Sequence, residues 1–92
     1  MIRSFRSKGL ERFATTGDAS RLSVPNVARV RRILAALDAA TEPQQMNLPG
    51  YRFHALQGAA KGRFAVDASG NWRITFGWDD QNATDVDLED YH

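Results

Sequence analysis

Apolar residues recur at helical spacing in the first half of the chain and at every second position in the second half, and the change falls near Gly50. Lys8 to Thr16 sets Leu10, Phe13 and Ala14 on one side of a short helix, and Gly17 closes it. Val27, Val30, Leu34 and Leu37 follow at spacings of three, four and three, which draws one stripe over nearly three turns. Ser23 reads as the cap of this helix and Pro25 as a first-turn residue, because a serine oxygen can accept from free backbone N–H groups and proline lacks one there. The spacing therefore predicts a second helix over 25–40. Before both helices, Met1 to Arg6 places Ile2 and Ser4 against Arg3 and Phe5 in the alternation of a short edge strand. Glu42, Pro43, Asn47, Pro49 and Gly50 mark a loop.

Beyond the loop the period becomes two. Tyr51 to Leu56 and Gly62 to Asp67 read as strands, and Ala68-Ser69-Gly70-Asn71 is turn chemistry leading into a third. In that third strand Trp72, Ile74, Phe76 and Trp78 alternate with Arg73, Thr75 and Gly77, so the aromatic side faces a core and Arg73 faces away. Asp79 to Asn82 is another turn, after which Thr84, Val86 and Leu88 form the expected inward set of a last strand with Asp85 and Asp87 outward. Strands joined by such short turns are antiparallel, since a parallel return needs a crossover of about a dozen residues. The pattern predicts one α+β domain over 1–92, with two N-terminal helices packed on one face of an antiparallel sheet and the other face partly open.

Composition narrows this picture. An apolar content of 42% and a charged content of 25% are those of an ordinary globular protein. With no cysteine there is no disulfide framework, no thiolate metal site and no cysteine nucleophile. No apolar run approaches the roughly 18 residues of a membrane span, and the opening five residues lack a signal-peptide core, so a cytoplasmic location without membrane association is expected. The net charge of +1 conceals an asymmetry: residues 1–63 hold eleven of the twelve Lys and Arg, and residues 64–92 hold seven of the eleven acids. Arg29, Arg31 and Arg32 form a basic flank on the second helix, read first as a solvated face.

The chemistry gathers on the open face. Arg52 and His54 share a parity opposite to the core-seeking Tyr51 and Phe53, which is the side to which Arg73 also points. The sequence closes on Glu89-Asp90-Tyr91-His92, and an ending that joins acids, a phenol and an imidazole implies a docked and used terminus. Two imidazoles, His54 and His92, can then act as base and acid towards a ribose 2′-OH and a leaving 5′-oxygen. Arg52, Lys61, Arg63 and Arg73 offer cations for the phosphate, and Tyr91 offers a stacking face and a hydroxyl. Each histidine taken singly is more often an ordinary surface or core residue. No close histidine spacing supports a metal site built from His54, Asp90 and His92. No cofactor or metal is expected.

Several stretches together resemble one family. Met1-Ile2-Arg3-Ser4-Phe5 with Lys8-Gly9-Leu10, Tyr51-Arg52-Phe53-His54-Ala55-Leu56 with Gly58 and Gly62, Asn71-Trp72-Arg73-Ile74-Thr75-Phe76, and Glu89-Asp90-Tyr91-His92 resemble HigB-type toxins of the RelE/ParE superfamily of bacterial toxin-antitoxin systems, in the same order along the chain. The resemblance implies a RelE-like, microbial RNase-like α+β fold and a ribosome-dependent endoribonuclease that cuts mRNA in the decoding site. It implies that His54, Arg73, Asp90, Tyr91 and His92 are catalytic, and that the partners are the ribosome, mRNA and a HigA-type helix-turn-helix antitoxin that contacts operator DNA itself. Family members often carry a lysine where Gln57 stands and a further basic residue near the turn held here by Ser69 and Gly70, so Lys61 and Arg63 become the candidates for that charge. Two other readings stay open: a ParE-like inhibitor of DNA gyrase, which has no use for a proton-transfer pair, and a plain RNA- or protein-binding module.

Overall fold

A computed structural model of the chain describes residues 1–90. Two helices, α1 at Lys8–Thr16 and α2 at Val27–Ala39, precede a four-stranded antiparallel sheet. Its strands lie in chain order: β1 at His54–Ala55, β2 at Phe64–Ser69, β3 at Trp72–Asp79 and β4 at Asn82–Asp90. The α+β arrangement expected from the periodicity is the one observed. The N-terminal segment lies along the outer edge of β4 and runs parallel to it, with Ile2 opposite Ala83 and Phe5 opposite Val86. Arg3 donates its N–H to the Ala83 carbonyl at 2.8 Å, and Val86 donates to the Ser4 carbonyl at 3.0 Å. Parallel pairing is possible here because both helices lie in the connection.

The helix ends follow side-chain chemistry. Ser7 accepts from the Leu10 N–H at 3.2 Å to start α1, and Gly17, at φ 80°, ends it in the left-handed conformation that suits glycine. For α2 the cap is Asn26, whose side chain accepts from the Arg29 N–H at 3.0 Å, and not Ser23. The expected start was early because Asn26 competes for the same role one residue after Pro25. The Asn26 N–H donates to the Ser69 hydroxyl at 2.7 Å, so the helix start and the β2–β3 turn are tied together. Inward from α1 point Leu10 and Phe13, and from α2 Val30, Ile33, Leu34 and Leu37. Ala14, expected in the core, is exposed.

These side chains meet Val66, Ile74, Phe76 and Val86 of the sheet, all fully buried. Removing a residue of this size from water stabilises the fold by about 1.5–3 kcal/mol. An aromatic row, Phe53, Phe64, Phe76 and Trp78, crosses the sheet with successive ring centroids 5.6, 5.8 and 6.2 Å apart. Trp72 and Trp78 are packed against the core, as their parity predicts.

Two irregularities change the expected parity. Between Thr75 and Gly77 the pairing of β3 with β4 shifts, and Asp85 there adopts φ 48°. The extra residue of this bulge reverses the alternation, so Ala83 rather than Thr84 joins Val86 and Leu88 on the core side. Thr84 faces the open side opposite Gly77. The strand expected over residues 51–56 shortens to His54–Ala55, because Gly50 at φ 81° and Arg52 at φ 51° break the extended backbone before it. Asp67 N–H still donates to the Tyr51 carbonyl at 2.8 Å, which keeps the segment against β2. Among the described residues no helix is long and apolar enough to cross a membrane.

Candidate active site

The open face of the sheet is set by register. Asp67, Arg73 and Glu89 stand in one row across β2, β3 and β4, and His54, Ala65, Thr75 and Asp87 stand in the next across all four strands. At the end of these rows lies a cleft of about 240 Å³, lined by Arg52, His54, Asp67, Asn71, Trp72 and Arg73. Arg52, His54 and Arg73 thus line one cleft, although Arg52 reaches it from a left-handed conformation before β1 and not by strand parity.

His54 is exposed to the cleft, and its Nδ1 lies 2.9 Å from the Arg52 carbonyl oxygen. A carbonyl oxygen only accepts, so this bond requires the proton on Nδ1. Nε2 is left as the atom through which a proton enters or leaves the ring. The left-handed backbone at Arg52 aims that carbonyl at the ring only two residues away. The Arg52 side chain approaches Asp67 at 3.6 Å, but with side-chain exposures of 81% and 41% this ion pair adds little stability and leaves the guanidinium available.

Arg29 proves to be more than part of a solvated flank. Its guanidinium donates to the Gly50 carbonyl at 2.8 Å and to the Asp67 carbonyl at 3.2 Å, and it lies 5.1 Å from the centre of the Tyr51 ring. It anchors the irregular segment that carries Arg52 and His54. Arg31 and Arg32 are exposed as expected, and Arg31 also lies over the Phe13 ring at 5.3 Å.

The remaining candidates are placed differently. Lys61 is exposed in the turn before β2. Arg63 turns across the sheet and donates to the Thr75 hydroxyl at 3.1 Å and to the Asp85 carbonyl at 2.8 Å. Burial is the main influence lowering the Arg63 pKa, followed by the nearby Arg6 charge, while Glu89, Asp85 and Asp87 act in the opposite direction. Asp90 is exposed at the register position opposite Trp72, whereas Glu89 is the acid opposite Arg73. Tyr91 and His92 lie outside the described residues.

A wider depression of about 480 Å³ lies elsewhere, between α1, α2 and the N-terminal segment. Ile2, Phe5, Phe13, Ala14 and Leu34 line it, and its one acid, Asp38, accepts the Ile2 N–H at 2.9 Å. It is apolar and offers no proton-transfer pair. Among the described residues no group of three or more His, Asp or Glu side chains is placed to hold a metal ion.

With the two-helix, four-strand architecture and the His54–Arg73 cleft in view, comparison with known proteins gives a consistent picture. Residues 3–92 match the HigB-like toxin family, described as the RelE-like toxin of the type II toxin-antitoxin system HigB. This chain belongs to the HigB-like toxins. It is 37% identical over 92 residues to the endoribonuclease HigB of Proteus vulgaris, covering 100% of both chains. The crystal structure of a YafQ mutant from E. coli superposes with a TM-score of 0.51 at 15% identity, covering 94% of this chain and 91% of that one. That likeness speaks for the fold alone. Membership in a type II toxin family implies an antitoxin partner.

In this HigB-like toxin, sequence reasoning passed over Asp67, Thr75 and Glu89, which share the open face with Arg73. One signal was available for Glu89. Leu88 was assigned inward, and extending the alternation by one residue sends Glu89 to the side of Arg73. Thr75 is fully buried and donates its hydroxyl proton to Glu89. Nothing in the sequence pattern distinguishes it from an ordinary outward strand threonine, because the cover comes from Arg63, on another segment.

Proposed function

We propose that this HigB-like toxin is an endoribonuclease that cleaves translated mRNA on the ribosome by general acid-base catalysis and so inhibits translation and growth in the cytoplasm. The observation that carries this reading is the His54 ring, fixed through Nδ1 by the Arg52 carbonyl, beside Arg73 in one polar cleft. The full-length relationship to a protein named endoribonuclease HigB supports it.

Cleavage of RNA without an external water needs the 2′-oxygen to attack its own phosphate, which demands proton removal there, proton delivery to the leaving 5′-oxygen and fixed positive charge on the phosphate. In this reading His54 exchanges one proton through Nε2, and His92 exchanges the other. Arg73 binds the phosphate as its charge grows in the transition state, its planar donors matching two oxygens at once. Asp90 orients an imidazole, and Tyr91 stacks on a base or hydrogen-bonds to the phosphate. Arg52, which lines the cleft, and Lys61, exposed in the turn before β2, hold the RNA backbone. The cleft is small and makes few contacts, so the reading needs something else to set the register of the RNA. The decoding site of a ribosome does that by holding a codon in place. The proposed antitoxin is of HigA type, covering the N-terminal edge beside β4 and the basic flank of α2.

The test is to incubate the purified toxin with ribosomes programmed with a defined mRNA, and with the same mRNA free. Cleavage only on the ribosome, leaving a 2′,3′-cyclic phosphate, is the expected result. Intact mRNA together with inhibited DNA gyrase would assign the chain to a ParE-like mode of action. Removing His92 should abolish cleavage at an unchanged melting temperature.

A further inference from the structure

Thr75 sits in the middle of β3 on the open face, yet it is fully buried. What covers it is Arg63, which enters from the turn before β2 and crosses β3 above Gly77. A Cβ built on Gly77 would stand 2.9 Å from the Thr84 hydroxyl and in ordinary contact, at 3.7 Å, with Arg63 Nη1, so Gly77 gives way to Thr84 while the guanidinium passes over it. One nitrogen, Nη2, donates both to Thr75 and to the carbonyl of Asp85, the bulge residue at φ 48°. The Thr75 hydroxyl accepts a hydrogen bond from Arg63 and has a single O–H to donate, which it donates to the Glu89 carboxylate. Bulge, threonine and carboxylate are thereby held by one guanidinium. Glu89 is opposite Arg73 and directly precedes Asp90.

We propose that Arg63 and Thr75 are positioning residues for cleavage, clamping the β4 bulge and Glu89 so that the end of β4 and Arg73 are held in register. The proposal rests on the ribonuclease reading above and gives Arg63 a task other than gripping RNA. Its Nη2 is committed to two inward acceptors, and the side chain is partly withdrawn from water.

Four variants of the full chain test this: Thr75→Val, which keeps the shape but removes the hydroxyl; Thr75→Ser, which restores it; Arg63→Met; and the double variant Arg63→Met/Thr75→Val. Turnover and KM are measured on programmed ribosomes. Thr75→Val and Arg63→Met are each expected to lower kcat about tenfold with KM little changed, the scale of one charge-assisted hydrogen bond. Thr75→Ser should recover most of the loss, and the double variant should be little worse than either single one, since both remove the same clamp. A raised KM in Arg63→Met with Thr75→Val unaffected would make Arg63 an RNA contact and overturn the proposal, as would fully additive losses. Amide hydrogen exchange supplies a readout independent of activity. In Thr75→Val the amides of residues 87–90 should exchange faster than in the native chain, and unchanged exchange there would overturn the clamp. A native toxin that leaves ribosome-bound mRNA intact, with exchange altered as expected, would count against the ribonuclease reading alone.

Discussion

At its centre β3 is shielded from water on both faces, which are built by different forces. On the helix side Ile74 and Phe76 are fully buried among α1, α2 and the neighbouring strands, held by apolar packing that has no preferred direction. On the other side Thr75 is buried to the same degree, but its cover is a guanidinium and a carboxylate joined through its hydroxyl. Volume is therefore the constrained quantity on one face and bond geometry on the other. The difference also divides labour, because a chemically exacting face can hold catalytic groups while an apolar one carries the stability.

The largest effect expected is on the helix side. Phe76→Ala should destabilise the protein by about 3–5 kcal/mol through lost transfer energy and the cavity left behind. In a chain of this size each kcal/mol lowers the melting temperature by about 4–8 °C, so thermal unfolding should show a fall of well over ten degrees. A shift of only a few degrees would mean that the packed face is not the source of stability. Gly77→Ala probes the opposite face, where the new Cβ meets the Thr84 hydroxyl at 2.9 Å, and a cost of about 1–3 kcal/mol is expected. Adding Thr84→Ala should recover most of that cost, and failure to do so would place the strain elsewhere.

The smallest effect expected lies outside both faces. The Arg12 guanidinium, bonded at 2.6 Å, and then the Ser20 N–H hold the Asp18 carboxyl well below the usual carboxylate range. A carboxylate with a depressed folded pKa stabilises the native state above its ordinary pKa, and the contribution is lost as pH falls through the folded value. Melting temperatures followed from about pH 6 to about pH 2 should decline slightly less in Asp18→Asn than in the native chain, because that variant has no such contribution to lose. The pair is solvent-exposed, so the difference should be small and should shrink with added salt. A large difference would point to acid-sensitive contacts that the two-face comparison leaves out.

Much of this was legible in the amino-acid sequence. Gly17, the apolar stripe of α2 and the strict alternation from Trp72 to Trp78 are local signals, and the elements they mark lie where expected. His54 and Arg73 line a common cleft from the strand positions expected of them, whereas Arg52 joins them from outside β1. What stayed hidden depends on residues distant in the chain or on a single backbone angle. The Asp85 bulge exchanges Thr84 for Ala83 in the core, and a bulge has no apolar signature. Arg52 in a left-handed conformation is unusual for a side-chain-bearing residue, so an extended strand from Tyr51 was the natural reading. Arg29 looked like a solvated charge because its partners, the Gly50 and Asp67 carbonyls, come from other elements. The parallel pairing of the N-terminal segment with β4 joins the two ends of the described chain, which no local pattern encodes.

The central claim is that the open face cleaves RNA through proton exchange at His54, and single-turnover cleavage by the His54→Ala variant on programmed ribosomes tests it most directly. His54 is exposed, so its loss should leave the melting temperature within about a degree or two of the native value. The rate of mRNA cleavage should nonetheless fall by about 10²- to 10⁴-fold, the scale of a general acid-base group. Cleavage at the native rate by a folded His54→Ala protein would contradict the claim and leave the cleft without its proton-exchanging group.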